Sequence, residues 1–228
     1  MSFTEQLRKE NDDIFQLIFE HPFVEGIGKG SVPNEAMEHY IKADFEYLNA
    51  FMKIYGIAIS KSSNRDDIHY FFNKMKFILD DEIHPHHNFC AYIGVPYEAL
   101  QGHPLPPTAD HYVKHMMYHA QTGTLAETLG ALLPCPWTYQ EIGKELMKKY
   151  EPTESHPFYQ WITFYGDTGA RNVTAEMRER LDTLAESSSP IEKQHISEAF
   201  RKSCELELAF WEMAYTCEEW PSKRKVMK

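Results

Sequence analysis

The chain has 228 residues, of which 43% are hydrophobic and 25% charged, and a formal net charge of −11. That length and balance suit a globular protein with a substantial core, and the acidic excess excludes the basic footprint that nucleic-acid binding requires. No apolar run of about 18 residues is available to span a membrane. No leader-like apolar stretch opens the sequence, and four cysteines (90, 135, 204 and 217) form no Cys-x-x-Cys pair, so reduced thiols and a cytoplasmic location are expected.

Apolar residues recur at intervals of three and four, and alternating β-branched runs are missing. The spacing predicts helices over 3–19, 34–60, 66–93, 109–121, 125–149, 157–168, 171–186 and 190–218, an all-α bundle forming one domain over 1–228. After the first helix, HPFVEGIGKGSVP (21–33) reads as a loop, with Pro33 suited to the first turn of the next helix. That second helix carries an apolar line Met37, Ile41, Leu48, Phe51, Tyr55, Ile59, and Asp44 falls on it between Tyr40 and Tyr47. A buried carboxylate costs several kcal/mol unless it is bonded or paired. Asp44 is therefore either tied to a tyrosine or a helix end, or part of a site.

The third helix aligns Met75, Leu79, Glu82, His86, Phe89 and Ile93, with Glu82 and His86 four apart and able to bond to each other. Pro85 is expected to kink it. GVPYEALQGHPLPPT (94–108) reads as a loop, ending in Thr108 as a cap for the helix carrying His111, His115 and His119. With His84, His86 and His87 these histidines raise the possibility of a metal-dependent oxidase. A ladder on one helix makes poor closed geometry without carboxylates from neighbours, so no metal is expected.

Thr124-x-x-Glu127 has the capping-box pattern and opens the helix containing LLPCPW (132–137). Its inward stripe is Leu132, Cys135, Tyr139, Ile142, Leu146, so Cys135 faces inward between two prolines that deprive the carbonyls of Gly130 and Leu132 of their usual partners. A buried cysteine is either an inert small hydrophobe or a nucleophile. The double proline and the nearby aromatic residues keep the second reading open for Cys135, whereas Cys90, Cys204 and Cys217 read as core. EPTESHP (151–157) reads as a loop. The last helix starts at Ser189-x-x-Glu192 with Pro190 in its first turn and aligns Phe200, Cys204, Glu207, Trp211 and Ala214. Glu207 sits inside that stripe, while Arg201, Glu205 and Glu212 fall on the polar face. The terminal KRKVMK (223–228) reads as a tail.

Asp44, Tyr47, Cys135, Tyr139 and Glu207 on an all-helical chain, with YIKADFEYL (40–48), PTADHYVKHM (107–116), LLPCPWTYQEIG (132–143), WITFYGD (161–167) and ELAFWEMAY (207–215), resemble the TenA (thiaminase II) family over essentially the whole chain. The resemblance implies a haem-oxygenase-like helical bundle without haem or other cofactor, assembled as a homotetramer. It implies hydrolysis of 4-amino-5-aminomethyl-2-methylpyrimidine to the hydroxymethyl pyrimidine and ammonia, and cleavage of thiamin to the same pyrimidine and a thiazole, in thiamin salvage. By motif it gives Cys135 as nucleophile, Glu207 as acid/base and Asp44 as the carboxylate on the amino-pyrimidine edge. Tyr47, Tyr112, Tyr139 and Phe210 match pocket positions, and Tyr165 matches a tyrosine near the thiol. The chain departs from the pattern at Ala43, where Gln is common, and at Asp167, where a second Gly is common. A non-catalytic pyrimidine- or thiamin-binding regulator is the alternative implied by the same resemblance.

Overall fold

The structure is a computed structural model that describes residues 1–80, 83–167 and 173–223. Twelve helices run through the described residues, with no strand among them: α1 (Phe3–Glu10), α2 (Asp12–Phe19), α3 (Pro22–Lys29), α4 (Asn34–Lys61), α5 (Arg65–Asp80), α6 (Ile83–Ile93), α7 (Pro107–Thr122), α8 (Leu125–Leu132), α9 (Pro134–Tyr150), α10 (Tyr159–Gly166), α11 (Val173–Ser187) and α12 (Pro190–Thr216). The long α12 runs through the bundle and packs on α2, α3, α4, α7, α8 and α9, while α10 lies along α9. No helix among the described residues is long and apolar enough to cross a membrane.

Local chemistry accounts for most helix ends. The Thr124 side chain accepts from the Glu127 amide while the Glu127 carboxylate accepts from the Thr124 amide, the reciprocal cap its sequence pattern predicts. Ser189 caps α12 by accepting from the Glu192 amide, with Pro190 in the first turn. The stretch over 3–19 divides at Asn11, whose side-chain amide donates to the Leu7 carbonyl at 2.8 Å. The segment expected as a loop over 21–33 contains α3. His21 caps it by accepting from the Phe23 amide, Pro22 takes the first turn, and Gly30 closes it in the left-handed region at φ 67°. Glycines at 26 and 28 weaken its propensity, but they let α3 lie close against Val32 and against Tyr150 of α9, so packing decides. Helix α7 begins at Pro107 with Pro106 at its cap, two residues earlier than the expected cap Thr108.

The predicted helix over 66–93 is described as α5 and α6 on either side of residues 81–82. Glu82 lies outside the described residues, as does the tail from Arg224 onward. The aligned stripe does not persist across the two helices: Leu79 is exposed, and α5 instead buries Tyr70, Phe71 and Ile78.

Aromatic rings form the centre. Trp211 is fully buried and stacks parallel on Tyr40 with centroids 5.5 Å apart. Phe23 and Tyr139 each approach it to 5.2 Å. Burying an indole of this size withdraws roughly 200 Å² from water, worth about 5 kcal/mol. The α12 stripe is as expected: Phe200, Cys204, Glu207, Trp211 and Ala214 are buried, and Glu205 and Glu212 are exposed.

Candidate active site

The double proline ends one helix and starts another. Leu133 is at once the last cap of α8 and the first cap of α9, and Pro134 and Pro136 fall in the first turn of α9, where backbone donors have no intrahelical partner to lose. The Ser203 hydroxyl, from α12, donates to the Ala131 carbonyl at 2.7 Å, and the Thr138 hydroxyl lies 3.1 Å from the Cys135 carbonyl. Thr174 of α11 donates to the Pro136 carbonyl at 3.0 Å. The junction is thus held from three helices, and it brings Cys135 to a cavity wall in a half-buried position.

That cavity holds about 490 Å³ of empty space, its mouth included. Helix α4 contributes Asp44, Leu48, Phe51 and Tyr55, α5 contributes Lys74, Phe77 and Ile78, and α9 contributes Cys135, Pro136 and Tyr139. Tyr165 and Val173 complete the lining. Of the residues singled out by sequence, Asp44, Cys135, Tyr139 and Tyr165 therefore share one cavity wall. The rings of Tyr139 and Tyr165 stand 4.9 Å apart, edge to face.

The other expected residues form a layer behind it. Tyr47 sits 5.1 Å from Tyr112 and 5.6 Å from Phe210. The Tyr47 hydroxyl lies within hydrogen-bonding reach of the Cys135 sulfur and 3.5 Å from the Met116 thioether. Glu207 is buried, and the Thr138 hydroxyl lies 3.2 Å from its Oε2. One threonine therefore touches both the backbone of the thiol residue and the carboxyl. Burial pushes the Glu207 carboxyl up to about 7; Tyr112 and Thr138 pull it down, and the negative charge of Asp44 pushes it up further. The buried Tyr112 hydroxyl is directed at the carboxyl without forming a hydrogen bond of ordinary geometry among the described residues. Burial likewise raises Tyr47, Tyr112 and Tyr139, so all three keep their protons.

Asp44 is 6% exposed, and the buried ring of His86 shares a 2.7 Å hydrogen bond with its Oδ2. His86 reaches across to α4, and its Nδ1 lies 3.1 Å from the Tyr97 hydroxyl; Glu82, the partner expected for it from the sequence, lies outside the described residues. Tyr97 stands on a short 3₁₀ turn, Tyr97–Leu100, inside a segment expected as loop. Sequence reasoning missed Tyr97, Thr138 and Lys74. Only Thr138 carried a signal, one turn after Cys135. Lys74 is 12% exposed in its side chain and pairs with Glu176 of α11 at 2.5 Å.

The histidine ladder does not converge. His111 is exposed, His115 Nε2 lies at 3.2 Å from the Ala199 carbonyl and 3.1 Å from the Ser203 hydroxyl, and His119 stacks edge-on to His115. No group of three potential ligands suited to a metal ion occurs among the described residues. Cys90 and Cys204 are buried with thiols raised by burial, the first to about 11. Cys217, expected in the core, is a half-buried cap at the end of α12, in the left-handed region at φ 51°. At the two departures from the motif pattern, Ala43 is buried and Asp167 is exposed.

The family model described as TENA/THI-4/PQQC matches residues 8–217. A relative from Staphylococcus saprophyticus named aminopyrimidine aminohydrolase is 34% identical over 222 residues, covering 96% of both chains. A TenA homologue from Pyrococcus furiosus superposes with a TM-score of 0.82 at 22% identity, covering 93% of this chain and 100% of that one. A domain of unknown function with a heme oxygenase-like fold from Shewanella denitrificans superposes with a TM-score of 0.65 at 13% identity, covering 93% of this chain and 92% of that one. The all-α bundle has the haem-oxygenase-like fold, and the chain belongs to the TENA/THI-4/PQQC family.

Proposed function

We propose that the protein hydrolyses the C–N bond at the methylene group of 4-amino-5-aminomethyl-2-methylpyrimidine, giving the hydroxymethyl pyrimidine and ammonia, and cleaves thiamin to the same pyrimidine and a thiazole. The observation that carries this reading is the convergence of a thiol and a carboxylate, Cys135 and Asp44, on one aromatic-lined cavity backed by an acid held near neutrality, Glu207. The whole-length similarity to aminopyrimidine aminohydrolases supports it.

A flat aminopyrimidine stacks on tyrosine faces, and its exocyclic amine donates to Asp44. Glu207, whose carboxyl burial raises to about 7, gives its proton to a ring nitrogen. The Cys135 thiolate then bonds to a ring carbon, which breaks the aromaticity. The ring electrons expel the amine, or thiazole from thiamin, from the methylene carbon, leaving an exocyclic double bond. Water adds to that carbon as hydroxide; its proton goes to the departed ammonia, or to solvent when the weakly basic thiazole has left. The ring nitrogen returns its proton to Glu207, the carbon–sulfur bond breaks, and the aromatic ring and free thiolate are restored. Tyr47 and Tyr165 orient the sulfur, and the tyrosines with Phe210 support the ring.

Turnover of the aminomethyl pyrimidine by C135S is the test. A nucleophile's loss lowers kcat by about 10³-fold or more with binding retained. Full turnover by C135S, or inactivation by a thiol reagent that leaves Cys135 unmodified, overturns the assignment. A homotetramer in a thiamin salvage role accompanies this reading; light scattering of the purified protein measures the assembly.

A further inference from the structure

Asp44 is held in place by a side chain and a loop turn that the chemistry above leaves unused. His86 is 1% exposed and bridges two groups, with Nε2 2.7 Å from Asp44 Oδ2 and Nδ1 3.1 Å from the Tyr97 hydroxyl. Burial raises the Tyr97 phenol well above its ordinary value, so it keeps its proton. When His86 is neutral, the Tyr97 O–H donates to Nδ1 and the ring proton must sit on Nε2, facing Asp44. When His86 is charged, Nε2 carries a proton as well. The 2.7 Å separation of Nε2 and Oδ2 is the short distance of a charge-assisted bond in which a ring N–H donates to a carboxylate. Oδ2 thus receives a donor in each favoured state, and the carboxyl stays an acceptor whose other oxygen has no hydrogen-bond partner among the described residues and is left for the cavity. A freely rotating or protonated aspartate would accept or donate indifferently.

We infer that His86, set by Tyr97, is the positioning residue that fixes Asp44 as a pure acceptor, and that this relay makes the site select pyrimidines carrying an N–H donor beside Asp44. The inference rests on the functional reading above. It adds a specificity device that acts through Asp44 without touching the ligand.

Titration calorimetry with two probes separates the possibilities: 4-amino-5-hydroxymethyl-2-methylpyrimidine, and the same ring with hydrogen in place of the exocyclic amine. The unaltered protein prefers the amine-bearing ring. His86→Leu weakens binding of that ring about tenfold or more, the loss typical of a hydrogen bond to a charged group, and leaves the amine-free ring within about threefold. His86→Gln, which keeps an amide donor, restores the preference, and in a D44N background His86→Leu has no further effect on it. Tyr97→Phe, which keeps the turn and removes one proton, lowers the preference several-fold, and decides the matter should His86→Leu fail to fold. Equal weakening of both probes, or an unchanged preference in folded His86→Leu and Tyr97→Phe, overturns the inference while leaving the hydrolase reading intact. Failure of the unaltered protein to bind either probe overturns the functional reading and this inference with it.

Discussion

Glu207 makes stability depend on pH in a direction opposite to that of most carboxylates. Its folded state holds a proton up to about pH 7, whereas the unfolded chain releases it near 4.5. Below pH 4.5 both states are protonated and burial of the neutral acid carries no charge penalty. As pH climbs from 4.5 to 7, the unfolded chain gains the freedom to ionise in water and the folded chain does not, so stability falls. At about 1.4 kcal/mol for each pH unit, that interval costs about 3 kcal/mol, and above pH 7 the loss levels off. E207Q keeps the shape and cannot ionise. Urea unfolding of both proteins from pH 4.5 to 8.5 measures the difference, since every other titrating group is shared. The difference moves by about 3 kcal/mol in favour of E207Q over that range. A difference that stays flat to within about 0.5 kcal/mol shows that Glu207 is already charged when folded, and removes the proton donor from the proposed mechanism.

T138V removes the hydroxyl that pulls the Glu207 carboxyl down, so the plateau in the same urea series begins above pH 7. S203A leaves the Ala131 carbonyl without its donor at the α8–α9 junction and costs about 1–3 kcal/mol of unfolding free energy, read by the shift in urea midpoint. Dialysis against a chelator leaves turnover and melting temperature unchanged, because His115 already faces the Ala199 carbonyl and the Ser203 hydroxyl, and His195 pairs with Glu127 at 2.9 Å; a loss restored by a divalent ion refutes this. Turnover that depends on protonated Glu207 falls about tenfold for each pH unit above 7, measured at saturating aminomethyl pyrimidine.

The residues that break an apolar stripe were readable because burial of a charge stands out against helical periodicity. Asp44 and Glu207 were placed inside on that basis, and both are buried. Their partners were not readable. His86 meets Asp44 across 42 positions of sequence, and Tyr97 meets His86 from a turn whose glycine and prolines look like ordinary loop. Periodicity reports which face a residue occupies and is silent on which neighbour occupies the facing one. Helix α3 was hidden for a related reason: two glycines that lower its intrinsic propensity are the residues that let it pack closely. The break at Leu133 was marked by its prolines, but their pattern alone does not separate a strained helix from a clean restart.

The contact of α9 with α10 fixes the placement of Tyr139 against Tyr165 from the rear. A side chain built at Gly143 meets the backbone of Gly166, and one built at Gly166 meets the carbonyl of Gly143, so at this point the helices touch main chain to main chain. Tyr139 stands one turn before Gly143, and Tyr165 directly precedes Gly166. The two rings thus inherit their separation from the absence of any spacer beneath them. A substitution at either glycine would therefore part the two rings and reshape the cavity they line without replacing any residue of that lining.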